Sequence, residues 1–191
     1  MNYKIFNLGK VQLYFSDKHN FNTDSILLAA FASPYHKNRH IKVCDLCTGC
    51  GLISVHLAAT LPNATITAVD SDERATALLS TTISENYPRL TALTALTADI
   101  RDLTRCEAYD LVTANPPYFK AGSGAVRTGQ STVRHDFNCK LSDIALTANK
   151  LLKYGGALKL CLPASRLSEA CVTLTEHKLE PKVIRFIDGR L

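Results

Sequence analysis

The chain has 191 residues, 46% of them hydrophobic, which is enough for one domain with a buried core. Its formal net charge of +5 is a modest excess that favours meeting a phosphate backbone but falls well short of the charge of ribosomal proteins. No stretch has signal-peptide character or approaches the roughly 18 apolar residues of a membrane span; seven cysteines, an odd number spread along the chain, argue for reduced thiols, so a cytoplasmic protein is expected.

Residues 1–40 read as an N-terminal segment and 41–191 as the core of a single domain. Val11, Leu13 and Phe15 alternate with polar neighbours and predict a strand or hairpin piece. Asp24 or Thr23 can cap a helix over 25–32 that is apolar nearly all round and so should be buried. The basic stretch 34–42 reads as a solvated connection, with RNA contact as the alternative. From Ile41 strands and helices alternate: strand 41–46, helix 51–60 stopped by Pro62, strand 65–69, helix to about Asn86, strand 90–98, and strand 109–114. A long loop, 120–138, precedes a helix with Leu141, Ile144, Ala145, Ala148, Leu151 and Leu152 on one stripe, which Gly155-Gly156 should close. Strand 157–162, helix 164–177 and strand 182–187 complete the series. The alternation predicts an α/β fold, a mostly parallel sheet with helices on both faces. Ligands of such sheets sit beyond the carboxyl ends of the strands. Gly49 with Gly51, Asp70, Asp99 and Asn115 each follow a strand and should converge there.

Two stretches carry the chemistry. Val43-Cys44-Asp45-Leu46-Cys47-Thr48-Gly49-Cys50-Gly51-Leu52 is a strand breaking into a glycine-bearing turn, and Asn115-Pro116-Pro117-Tyr118 ends the apolar run 109–114. Together they resemble the signature motifs of class I S-adenosylmethionine-dependent methyltransferases with a Rossmann-like fold, and specifically those that methylate a planar nitrogen. With Phe119 after the tetrapeptide and Phe21-Asn22-Thr23-Asp24-Ser25 upstream, nearly the whole chain resembles the bacterial tRNA1(Val) adenine N6-methyltransferases.

The resemblance implies S-adenosyl-L-methionine as cofactor, held by Asp45, Gly49, Gly51, Asp70, Asp99 and Asn115. The glycines let backbone approach the ligand, and the helix opening there offers free amides for a carboxylate. Asp70 would accept the ribose hydroxyls, with helix capping as the alternative, and Asp99 would meet the adenine amine. The family pattern has glycine at position 47; if the backbone there needs a positive φ, Cys47 costs on the order of 1 kcal/mol. Cys44, Cys47 and Cys50 also form a C-x-x-C-x-x-C run that a metal site would use, but Cys44 falls inside a buried strand and no fourth ligand follows at suitable spacing, so buried small residues and no metal are expected.

An adenine amine is a poor nucleophile because its lone pair is delocalised into the ring. Two acceptors aimed at its N–H bonds, the Asn115 side-chain oxygen and the Pro116 carbonyl, would pin it and free that lone pair. Tyr118 would stack on the base and Phe119 line the pocket. Lys120, Arg127 and Arg134 in the glycine-bearing loop would contact the phosphates of a tRNA partner. A protein glutamine amide presents the same planar NH2 and is the competing substrate; a catalytically degenerate RNA-binding relative is the third reading, favoured by Cys47. Sheets of this class end with an antiparallel strand between the fifth and sixth, and the sequence stops at Leu191 just after the sixth. The sheet is therefore expected to lack that strand or to close differently, with an open edge that lowers stability or pairs two copies.

Overall fold

A computed structural model describes residues 3–33, 39–116 and 139–188. Strands β1 (Lys4–Leu8) and β2 (Val11–Phe15) form an antiparallel hairpin, turned at Gly9. Helix α1 (Thr23–Ala32) leads to β3 (Ile41–Leu46), α2 (Leu52–Thr60), β4 (Ala64–Asp70), α3 (Glu73–Glu85), β5 (Leu93–Thr97), β6 (Tyr109–Ala114), α4 (Leu141–Leu151), β7 (Leu152–Leu160) and α5 (Leu167–Glu176). The main sheet is parallel throughout, in the order β5-β4-β3-β6-β7. The strand order reverses at β3, whose neighbours are β4 on one side and β6 on the other, so the switch point lies at its carboxyl end.

Strand side chains alternate between the two faces and build two cores. Val43, Ile66, Ala68 and Leu111 face a cluster shared with α1, α2 and the hairpin, while Cys44, Leu46, Val112 and Ala114 face one shared with Ile144 and Ala148 of α4. The hairpin is locked down on the first of these. Val11 and Leu13 are buried in it, and side chains of α3 and its C-cap pair the outer edge of β2: Thr82 Oγ1 accepts from the Tyr14 amide at 3.0 Å, Asn86 Oδ1 from the Gln12 amide at 2.9 Å, and Asn86 Nδ2 donates to the Gln12 carbonyl at 2.8 Å. A strand edge that would otherwise be open is thereby satisfied, and the chain leaving it, residues 16–22, is held against the end of the sheet.

Three local expectations are corrected. The N-cap of α1 is Asn22, whose side chain accepts from the Ser25 amide at 3.1 Å; Asp24 sits in the first turn, where its charge suits the helix dipole. Gly155 and Gly156 do not close α4. The helix passes directly into β7, and the two glycines lie where the pairing with β6 slips between Tyr109 and Leu111, a bulge for which Gly155 at φ +78° is suited. Residues 182–187 form no strand: Val183, Ile184, Phe186 and Ile187 are exposed, because β-branched residues make a strand only where a neighbour offers a ladder. Arg185 instead stacks on the Phe31 ring of α1, 4.9 Å from its centroid, and Lys159 of β7 lies 4.3 Å from the same centroid.

Candidate functional site

Beyond the carboxyl ends of β3, β4 and β6 lies a cavity of about 540 Å³, within the range of small-molecule sites. The loop after β3 supplies Cys47, Thr48, Gly49 and Cys50; β4 ends on Asp70; the turn after β5 supplies Asp99 and Arg101; β6 runs out into Asn115 and Pro116; and the segment between the hairpin and α1 adds His19, Phe21 and Asn22. Gly49, Asp70, Asp99, Asn115 and Pro116 are thus brought around one space. Gly51 and Asp45 are placed behind it. Tyr118, Phe119, Lys120, Arg127 and Arg134, together with the expected phosphate-contacting loop, lie outside the described residues.

The loop after β3 is shaped by three positive φ angles in five residues: Cys47 at +56°, Gly49 at +58° and Gly51 at +88°. Cys47 therefore adopts the conformation that glycine tolerates without strain. At Gly49 a side chain would meet nothing within 4 Å, so the backbone stands open towards the cavity; at Gly51 a Cβ would fall 2.5 Å from Leu79 Cδ1, so the buried Leu79 side chain of α3 fills the space a side chain there would take. Gly51, the N-cap of α2, has no side chain to bond the amides of the first turn, so a ligand can take that place.

Asp70 fixes the loop from the side. Its Oδ2 accepts from the Gly49 amide at 2.8 Å and its Oδ1 from the Asp72 amide at 2.9 Å. A carboxylate has about four acceptor positions, so both oxygens retain capacity for ligand hydroxyls. Asp72 caps α3 by accepting from the Arg74 amide at 2.9 Å. Asp99 caps the short turn 100–102 and is clamped by Arg101, whose Nε donates to both carboxylate oxygens at 2.9 and 3.1 Å. That guanidinium holds the Asp99 carboxyl below the usual aspartate range. The turn is anchored in turn by Thr147 of α4, whose hydroxyl donates to the Ile100 carbonyl at 3.1 Å.

Asp45 is completely buried beneath the loop and meets three hydroxyls: Thr48 Oγ1 at 2.6 Å, Ser54 Oγ at 2.7 Å and Thr113 Oγ1 at 2.6 Å. It ties β3, its loop, α2 and β6 into one unit, and burial pushes its carboxyl up despite those donors. Its place is under the site, shaping the loop that lines it. The cysteines of the C-x-x-C-x-x-C run diverge: Cys44 is buried in the α4-side core with its thiol pushed up by burial, whereas Cys50 joins the opposite core, its thiol pushed up to about 11. Cys47 instead lines the cavity with Cys139, and the interaction of the two free thiols raises that of Cys47 and lowers that of Cys139. Among the described residues no group of three or more His, Cys, Asp or Glu is placed to hold a metal ion, and no helix is long and apolar enough to cross a membrane.

At the far wall, Asn115 Nδ2 donates to Ser25 Oγ of α1 at 2.9 Å. Ser25, His19 and Arg101 also line the cavity, and no motif in the sequence marks them as site residues. Arg101, two residues from Asp99, could have been suspected as its counter-ion; the Ser25 contact spans 90 residues and leaves no local signal.

The pattern for the methyltransferase small domain matches residues 10–170, which takes in β2, the residues lining the cavity and β7. The chain belongs to the methyltransferase small domain family. Among relatives, a tRNA1(Val) (adenine(37)-N6)-methyltransferase from Pedobacter heparinus is 42% identical over 98 residues, 51% of this chain and 40% of that protein. One of the same name from Vibrio vulnificus strain YJ016 is 31% identical over 142 residues, 74% of this chain and 58% of that protein. The chain thus spans about half the length of these relatives. Among solved structures, M. jannaschii TYW2 in complex with AdoMet aligns over 92% of this chain and 71% of its own with a TM-score of 0.66 at 16% identity, a likeness of fold. The small-domain fold therefore carries its glycine loop, two carboxylates and Asn-Pro pair around a single cavity.

Proposed function

We propose that the chain transfers a methyl group from S-adenosyl-L-methionine to the exocyclic N6 of an adenine in tRNA. The observation that carries this reading is the placement of Asn115 and Pro116 at one wall of the cavity whose other walls are the Gly49 loop, Asp70 and Asp99. The donor set fits the cofactor: an open glycine backbone and an uncapped helix start suit the methionine carboxylate, Asp70 the ribose hydroxyls, and Asp99, held ionised by Arg101, an exocyclic amine. The bound cofactor would supply an electrophilic methyl on a sulfonium.

The chain's own residues then bind and orient. Asn115 Oδ1 and the Pro116 carbonyl accept the two N–H bonds of the target amine, which favours a pyramidal nitrogen and aims its lone pair. Proline has no N–H to compete for those acceptors, and its fixed φ makes the edge rigid. Neither step asks for a general base of tuned pKa. Support for tRNA comes from the names of the relatives and from the net charge of +5.

The test is equilibrium binding of S-adenosylmethionine to the 191-residue chain, with Asp70→Ala alongside, followed by incubation with unmodified tRNA and nucleoside analysis. Binding that is lost in the variant, with N6-methyladenine formed in the RNA, is the expected result. Methylation of a glutamine-bearing peptide in place of RNA would reassign the substrate. A folded chain that binds no cofactor would make it a degenerate relative, for which the strained Cys47 is the structural argument.

A further inference from the structure

The amide of Asn115 can serve as an acceptor for a substrate amine only if its oxygen, and not its NH2, faces the substrate. Nothing in an asparagine side chain enforces that, because the two ends are nearly isosteric. A chain of hydrogen bonds from the start of α1 does enforce it. We propose that Ser25 is a positioning residue, which acts with Asn22 and Asp24 to lock the Asn115 amide with its nitrogen turned to α1 and its oxygen towards the substrate. This rests on the N6-methyltransferase reading for the role of that oxygen, but the lock itself follows from the bonds alone.

The direction at the outer end of the chain is set by groups with one possible role. The Asp24 carboxylate only accepts, and Asn22 Nδ2 lies 3.2 Å from its Oδ2. At the other end of the Asn22 amide, the Ser25 backbone N–H only donates, and it lies 3.1 Å from Asn22 Oδ1. Asn22 is therefore fixed with its oxygen towards Ser25. That same oxygen is 3.2 Å from Ser25 Oγ, a long contact along which the hydroxyl proton can point. A serine hydroxyl has one proton. With it turned to Asn22, the lone pairs of Oγ are what the Asn115 NH2 meets at 2.9 Å. Ser25 is buried, so water does not compete freely for these positions.

The first turn of α1 thus does two tasks. It is capped by Asn22, and the capping geometry is reused to orient a residue at the end of β6. The hairpin that precedes α1, pinned to α3 by Thr82 and Asn86, holds the whole N-terminal segment in the place this requires.

The test compares Ser25→Ala, Ser25→Thr and Asn115→Ala in the full chain. The first readout needs no activity: the side-chain NH2 resonances of Asn115, assigned by their loss in Asn115→Ala, should show one slowly exchanging, hydrogen-bonded proton in the unaltered chain and in Ser25→Thr. In Ser25→Ala that protection should be lost. Protection unchanged in Ser25→Ala overturns the proposal. The second readout is turnover on tRNA: in Ser25→Ala kcat should fall on the order of tenfold or more, with cofactor Kd unchanged, because the acceptor is no longer held in its productive orientation. Threonine should restore most of it. A kcat for Ser25→Ala equal to that of the unaltered chain also overturns it. Absence of methylation by the unaltered chain, with NH2 protection behaving as stated, would sink the substrate reading and leave the lock standing.

Discussion

Asp70 holds the amide of Gly49 at 2.8 Å, and through that one bond the end of β4 sets the position of the loop after β3. The second oxygen takes the Asp72 amide at 2.9 Å, so the carboxylate also fixes the start of α3. Replacing Asp70 by alanine leaves two part-buried amides unpaired and should lower stability by about 2 kcal/mol as well as abolish cofactor binding. Asparagine can accept with one end only and should retain part of the stability. Urea denaturation alongside titration calorimetry separates the two effects; binding lost at full stability would mean that the loop does not depend on Asp70.

Gly51 tests how tightly the loop is fitted. A Cβ there would meet Leu79 Cδ1 at 2.5 Å on a backbone at φ +88°, so Gly51→Ala should destabilise by about 2 kcal/mol. Leu79 is fully buried, and Leu79→Ala alone should cost about 3 kcal/mol through the cavity it leaves. In the double variant the added methyl enters that space, so the total should be clearly less than the sum. Strict additivity in a double-mutant cycle would show that the clash is relieved elsewhere.

The buried Asp45 carboxyl predicts a pH dependence of stability. Its folded-state pKa is raised by burial, so between the unfolded value and that raised value the folded state binds more protons. Stability from this group is therefore highest below the unfolded aspartate value and falls as pH rises through the window. Asp45→Asn should flatten the profile there. Asp45→Ala should cost about 3 kcal/mol below that window, and less above it, by leaving the hydroxyls of Thr48, Ser54 and Thr113 without their common acceptor. A slope unchanged in Asp45→Asn would assign it to another group.

Asp99 gives the opposite sign. Arg101 depresses its pKa, so the stability it contributes is present above the unfolded aspartate value and is lost as pH falls through the lower folded value. Arg101→Ala should move this acid loss to higher pH and shrink it, and should bring the pH at which cofactor affinity declines upward with it. Both can be followed by thermal melts and binding between acidic and neutral pH. An acid limb identical in the variant would remove Arg101 from the account.

The strand ends were the most legible part of this sequence. The run 109–114 matches β6, and the polar residues after β3, β4, β5 and β6 meet at one cavity because a parallel sheet places every carboxyl end on one edge. The start of α1 was less legible. Asn22, Thr23 and Asp24 are all residues that cap helices, and only the bond to the Ser25 amide selects among them. Gly155-Gly156 reads equally as a helix stop or a strand bulge, and pairing with β6 decides for the bulge. Asp45 gave no sign of its three hydroxyl partners, since Thr113 is 68 residues away and Thr and Ser are common everywhere.

The distance in sequence between Ser25 and Asn115, 90 residues, has a kinetic meaning. The hairpin, and each helix by itself, can form early from near neighbours, but the wall between α1 and β6 closes only after β3 has found both β4 and a strand from much later in the chain. Side-chain protection at Asn115 should therefore appear among the last events of refolding. A ligand bound in the cavity would slow unfolding by holding shut the joint that was last to close.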